Sequence, residues 1–171
     1  MQAPPGELPI FQDLDRRTWH VEEIEQMSGL HKFGAIELIF EPWRCWRCHQ
    51  QIVVFHAGAG SNPADMIEAT PYMYWPDTLA QVDEARRQFG LPRIGVIKPR
   101  YSKTAGRKYV SQGCRHCDAI VGEFPMRERF LELCTEGLAF CDPGYKYRVF
   151  VNWPPAGLSK LAGQIEDEDD D

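Results

Sequence analysis

Apolar residues along this chain gather into short runs separated by Gly, Pro and polar residues, and the spacing within each run predicts its element. AIELIF at 35–40 and QIVVF at 51–55 carry the branched and aromatic side chains that suit a pleated surface, and they predict two strands joined as a hairpin. The stretch 57–76, AGAGSNPADMIEATPYMYWP, is rich in Gly, Pro and small residues and reads as an irregular excursion. Asp77 suits an N-cap for a helix over 78–89, stopped by Gly90 and Pro92. IGVIKPRYS follows as a strand broken at Pro99. Residues 108–111 then lead into a turn, and 119–124, AIVGEF, lead out, repeating the first hairpin. Phe130, Leu133 and Cys134 share one face of a helix over 126–136, begun near Pro125 and ended by Gly137. YKYRVFVNW at 145–153 alternates as a last strand before Pro154 and Pro155. Nearer the start, Trp19, Val21, Ile24 and Met27 recur at helical spacing, predicting a short helix that ends near Gly29.

These elements predict an α+β fold, an antiparallel sheet built on two hairpins with two or three helices packed on it. With 171 residues, 43% of them hydrophobic, the chain is long enough for one domain with its own core. That domain is expected to span 1–155. Residues 156–171, ending in six consecutive acids from Glu166 to Asp171, are expected to form a disordered acidic tail.

The turns of the two hairpins each hold a Cys-x-x-Cys pair, Cys45 and Cys48 in CWRC, Cys114 and Cys117 in CRHC. Two intervening residues let both sulfurs of a turn converge on one point. Two such turns supply the tetrahedral thiolate set that zinc takes, at about 2.3 Å, in closed structural sites. With four protein ligands no position is left for a reactive water, so the expected cofactor is one structural Zn2+. The opening MQAPPGELPIF has neither the basic nor the apolar part of an export signal, and no run approaches the roughly 20 apolar residues of a membrane span. A soluble cytoplasmic protein is therefore expected, whose cysteines serve metal or redox chemistry more than disulfides. A dithiol redox centre fits less well, because strands rather than a helix N-terminus flank both turns. The same thiolates can hold an iron-sulfur centre or another thiophilic metal. His49, His56 and His116 stand close enough in sequence to replace a thiolate. Cys134 and Cys141 fit no zinc spacing, and Cys134 reads as a small buried hydrophobe.

On residues 35–55 and 107–124 the chain resembles the zinc-ribbon group of four-cysteine modules, in a split form with a long insertion between the two knuckles. It is similar to small bacterial proteins of no assigned activity that carry the same knuckles, with a Tyr before the second and an aromatic after it, here Tyr109 and Phe124. Zinc ribbons serve nucleic-acid binding, protein contacts and enzyme scaffolding, so the resemblance implies a site and leaves the task open.

Charge adds a direction. The formal net charge is -6, but without the terminal acids the remaining 19 Asp and Glu balance the 19 Lys and Arg. Residues 91–117 contain no acid and carry Arg93, Lys98, Arg100, Lys103, Arg107, Lys108 and Arg115, while Arg44 and Arg47 adjoin the first cysteine pair. Bases interleaved with Tyr101 and Tyr109 suit phosphate contact and base stacking, so Arg44, Arg47, Lys98, Arg100, Lys103, Arg107, Lys108 and Arg115 are the nucleic-acid-binding candidates. The plainer reading is a solvated basic loop. Five tryptophans, with Trp43 and Trp46 around Cys45, offer the alternative of a protein-docking surface. Catalysis finds little support: HAGAGSNP lacks the Lys-Ser/Thr ending of a phosphate loop, and His20 beside Glu22 and Glu23 is an ordinary coincidence in an acidic segment.

Overall fold

The structure, a computed structural model, describes residues 35–60, 67–74, 76–136 and 147–152. The expected helix near 19–29, Cys141, His20 and the acidic tail lie outside the described residues. Strands β1 (Ala35–Arg44) and β2 (Gln51–Ala59) form the expected hairpin, with Arg44 opposite Gln51 and Glu37 opposite Gly58. β2 extends past the apolar run because Ala57, Gly58 and Ala59 still pair. The excursion that follows is partly ordered: a two-residue strand β3 (Ile67–Glu68) pairs with β2, and a 3-10 turn occupies Thr70–Tyr74. Helix α1 (Pro76–Gln88) comes next, ending close to the predicted stop, where Gly90 adopts φ +66°.

Strands β4 (Lys98–Ser102) and β5 (Arg107–Ser111) pair with each other in a separate two-stranded sheet. β4 runs through Pro99 instead of breaking there. A missing N–H costs nothing on the open edge of a strand paired on one side only. The second cysteine turn is therefore not a copy of the first hairpin. Its outgoing arm makes one isolated bridge, Gly113 to Ile120, and helix α2 (Glu123–Thr135) begins where the strand was expected to continue. The helix starts ahead of Pro125, which sits in its first turn, where no intrahelical N–H bond is lost. Last, β6 (Arg148–Asn152) pairs antiparallel with β1, giving the main sheet the order β3-β2-β1-β6.

The antiparallel sheets and helices give the expected α+β class. The main sheet is covered on both faces, so β1 and β2 are buried almost along their length instead of alternating. On the first face Ile36, Leu38 and Phe40 meet Val53, Phe55, Ala57 and Ala59, with Leu79, Val82 and Ala85 of α1 and Ile94 and Ile97 above them. The second face carries Ile52 and Val54, which pack with Cys45, Cys114, Ala119, Val121 and Met126 of α2 in a smaller core beneath the cysteines. Among the described residues no helix is long and apolar enough to cross a membrane.

Candidate metal centre

Each cysteine pair sits on a turn closed by the same two backbone hydrogen bonds. In the first, Cys45 N–H donates to Gln50 C=O at 3.0 Å and His49 N–H donates to Cys45 C=O at 3.0 Å. In the second, Cys114 N–H donates to Ala119 C=O at 2.8 Å and Asp118 N–H donates to Cys114 C=O at 2.9 Å. The residue after each second cysteine carries the reversal, His49 at φ 59° and Asp118 at φ 61°. This left-handed conformation costs most residues energy, and a short polar side chain such as Asp tolerates it better than most.

Two contacts bring these distant turns together, and a third, at Arg100, braces the second turn from its own side. Gln112 docks its side-chain amide on the edge of β2 that β3 leaves unpaired, receiving Phe55 N–H and donating to Phe55 C=O. Trp46 Nε1–H donates to Ile120 C=O at 2.8 Å, tying the first turn to the second. Arg100, buried, donates to Val96 C=O, Ser111 C=O and Asp118, and Lys98 reaches the other Asp118 oxygen at 2.6 Å. The guanidinium of Arg100 lies on Gly113 and the Gly113 carbonyl lies on Gly95, approaches a side chain at either glycine would block.

The result is four free thiols whose sulfurs all lie within 4.8 Å of one another. Cys45 to Cys117 and Cys48 to Cys114 are each 3.6 Å apart. Four sulfurs bound to a tetrahedral zinc at about 2.3 Å would be about 3.8 Å apart, so the set fits a metal ion with little movement. Both of these close contacts run across the turns, so the two Cys-x-x-Cys pairs form one cluster. Burial raises the Cys45 thiol, but N–H groups of Cys48 and Arg47 and the thiols of Cys114 and Cys48 outweigh it and hold Cys45 at about 7. At Cys48 the Gln50 N–H favours the thiolate, yet burial and the thiols of Cys114, Cys117 and Cys45 push it up to about 12. Crowded thiols thus resist full ionisation until a cation joins them.

Of the three histidines, His49 and His116 are exposed on the turns. His56 is wholly buried on the second face of the main sheet beside Glu41. The cysteines complete a four-ligand set on their own. Cys134 stands on α2, half-buried, apart from that set.

The basic candidates divide. Arg100 is structural, Lys98 is committed to Asp118, and Arg107 pairs with Glu123 at 2.9 Å while lying over the Tyr109 ring. Arg44, Arg47, Lys103, Lys108 and Arg115 are exposed, as is Tyr101 at 62%. Sequence reasoning missed Gln112, Asp118 and the polar second face of the sheet. A signal for the last was present in Glu37, Glu41 and His56, charged or titratable residues recurring at alternate positions within strongly apolar strands. Comparison with known proteins returns no match: no family model, no curated protein and no solved structure matches the chain.

Proposed function

We propose that Cys45, Cys48, Cys114 and Cys117 hold one structural zinc ion, in the manner of a split zinc ribbon, and that the clamped scaffold is a binding module without catalytic chemistry of its own. The observation that carries this reading is the pair of matching turns, which aim four sulfurs at one point. Four thiolates fill a tetrahedral zinc and leave no site for substrate, so the ion holds the cysteine core together and does not act on a ligand. Elemental mass spectrometry on protein purified without added metal tests it. About one zinc per chain, released together with four titratable thiols by a strong chelator, is expected; absence of metal overturns the reading.

The partner we infer is nucleic acid, met by the exposed bases Arg44, Arg47, Lys103, Lys108 and Arg115 with Tyr101 available for stacking. Binding of single-stranded oligonucleotides that falls steeply with salt supports this partner, and absence of such binding refutes it. A second reading rests on Trp46 of the first turn and Phe124 at the start of α2, 64% and 57% exposed, which would anchor a protein partner. Such an anchor is insensitive to salt and weakened by Trp46→Ala.

A further inference from the structure

The cysteine turns also shape the surface outside them. Each turn directs its two sulfurs to the common point and leaves the two residues between them in solvent: Trp46 and Arg47 in the first turn, Arg115 and His116 in the second. Because the four sulfurs lie within 4.8 Å of one another, these side chains gather around one point, with Arg44 exposed beside Cys45. The acid of the second turn, Asp118, is held by both Lys98 and Arg100.

Within this basic surround Trp46 is a large ring that is 64% exposed and yet fixed. Its Nε1–H donates to Ile120 C=O at 2.8 Å, which occupies one edge of the indole and sets how the ring stands against the second turn. A tie between the turns needs only a donor at that place, and an indole that served the tie alone would gain stability by being buried. A ring held in place but open to solvent loses little conformational freedom when a flat partner covers it. The guanidiniums have a plainer role to be weighed, which is to offset the two negative charges that four thiolates leave on a divalent ion. Arg44, Arg47 and Arg115 outnumber those charges by one, and Lys98 with Arg100 outnumber Asp118 by one, so the surface stays positive with an ion in place.

We propose that Trp46 is a stacking platform for an unpaired nucleobase, with Arg47 and Arg115 meeting the adjacent phosphates, and that the ligand class is single-stranded nucleic acid taken with little base preference. The assignment rests on the nucleic-acid reading given above and adds to it the ring that a protein anchor would otherwise use. Every base offers a π face to such a ring, whereas the bases of a duplex are already stacked on one another.

Fluorescence anisotropy of the full-length chain with labelled oligo-deoxythymidine, an abasic strand of the same length and the corresponding duplex tests the platform. The single strand is expected to bind more tightly than either of the others. Trp46→Ala should weaken binding of oligo-deoxythymidine about tenfold and leave binding of the abasic strand unchanged. It should also leave the salt dependence unchanged, since it removes no charge, whereas Arg47→Gln should lower that slope by about one. Trp46→Phe keeps a ring but loses the bond to Ile120, so it should retain most of the affinity; a merely structural role would weaken Phe and Ala alike. Should Trp46→Ala fail to fold, Trp46→Gln, which keeps an N–H donor without a ring, serves in its place, with the same loss expected and unchanged affinity overturning. Equal weakening toward both strands, loss in Trp46→Phe as large as in Trp46→Ala, or a duplex bound as tightly as the single strand overturns the platform while the basic surface stands. Absence of salt-sensitive binding to any of the three ligands overturns the nucleic-acid reading and the platform together, and leaves Trp46 to a protein partner.

Discussion

The side-chain amide of Gln112 pairs with both backbone groups of Phe55, accepting its N–H at 3.1 Å and donating to its carbonyl at 2.8 Å. Gln112 thus does with one side chain what a neighbouring strand does with its backbone. Two residues later comes Cys114, so this contact fixes where the second cysteine turn stands against β2.

Gln112→Leu keeps the volume and removes both bonds, leaving two buried backbone groups without partners. A loss of about 3 kcal/mol is expected in urea denaturation. Metal affinity, measured by competition with a chromogenic chelator, should fall with it, because the second turn is no longer held in register.

His49 and Asp118 occupy the same position on their turns and should respond oppositely to glycine. His49→Gly relieves a left-handed residue whose side chain is exposed, and a gain of about 0.5–1 kcal/mol is expected. Asp118→Gly relieves the same backbone but releases Lys98 and Arg100, and should lower stability. Melting temperatures of the two variants decide the contrast.

Arg100 and Lys108 separate structural from surface charge. Arg100→Met removes a buried guanidinium that bonds Val96, Ser111 and Asp118, and should cost about 2–3 kcal/mol. Lys108→Glu, on an exposed position, should change stability by less than about 0.5 kcal/mol while lowering oligonucleotide affinity several-fold. Equal loss of stability in both would contradict the division.

Stability should depend on pH through the second face of the sheet. Burial pushes Glu37 from its ordinary 4.5 to about 8 despite the nearby Arg148, so the folded chain keeps a proton that the unfolded chain releases. Stability then falls as pH rises from about 4.5 to about 8 and levels off above that. Glu41 behaves oppositely. Burial raises it, but hydrogen bonds and charge from His56 and Arg129 hold it below its ordinary value, so its contribution is present above about 4.5 and lost in more acidic solution. Urea midpoints of protein carrying one zinc per chain, compared with Glu37→Gln, should show the neutral-range slope vanish in the variant.

Local pattern made the β1–β2 hairpin, both helices and all four cysteines legible, because alternation, caps and spacing are written in adjacent residues. What escaped depends on the fold as a whole. The strand expected at 119–124 yielded to α2 because β5 already had β4 as a partner and the outgoing arm met the Gln112 backbone instead, through Val121 N–H. Arg100 looked like part of a solvent-facing basic strip until Asp118 and the Ser111 carbonyl enclosed it. Glu37 and His56 lie in largely apolar strands, and their burial depends on residues distant in sequence that cover that face, as Arg129 of α2 does at Glu41.

Cys48 and Cys114 stand 66 positions apart, and Cys45 and Cys117 stand 72 apart. Neither turn alone offers more than two sulfurs, and β2, α1 and the β4–β5 pair lie between the two turns along the chain. Closing so long a loop adds little entropy beyond that of a shorter one, but it makes the contacts that position the ligands the slow, non-local ones. If the four thiols hold the proposed ion, its capture is expected late in folding, and the rate at which refolding protein takes up metal would be a clock for the last docking step.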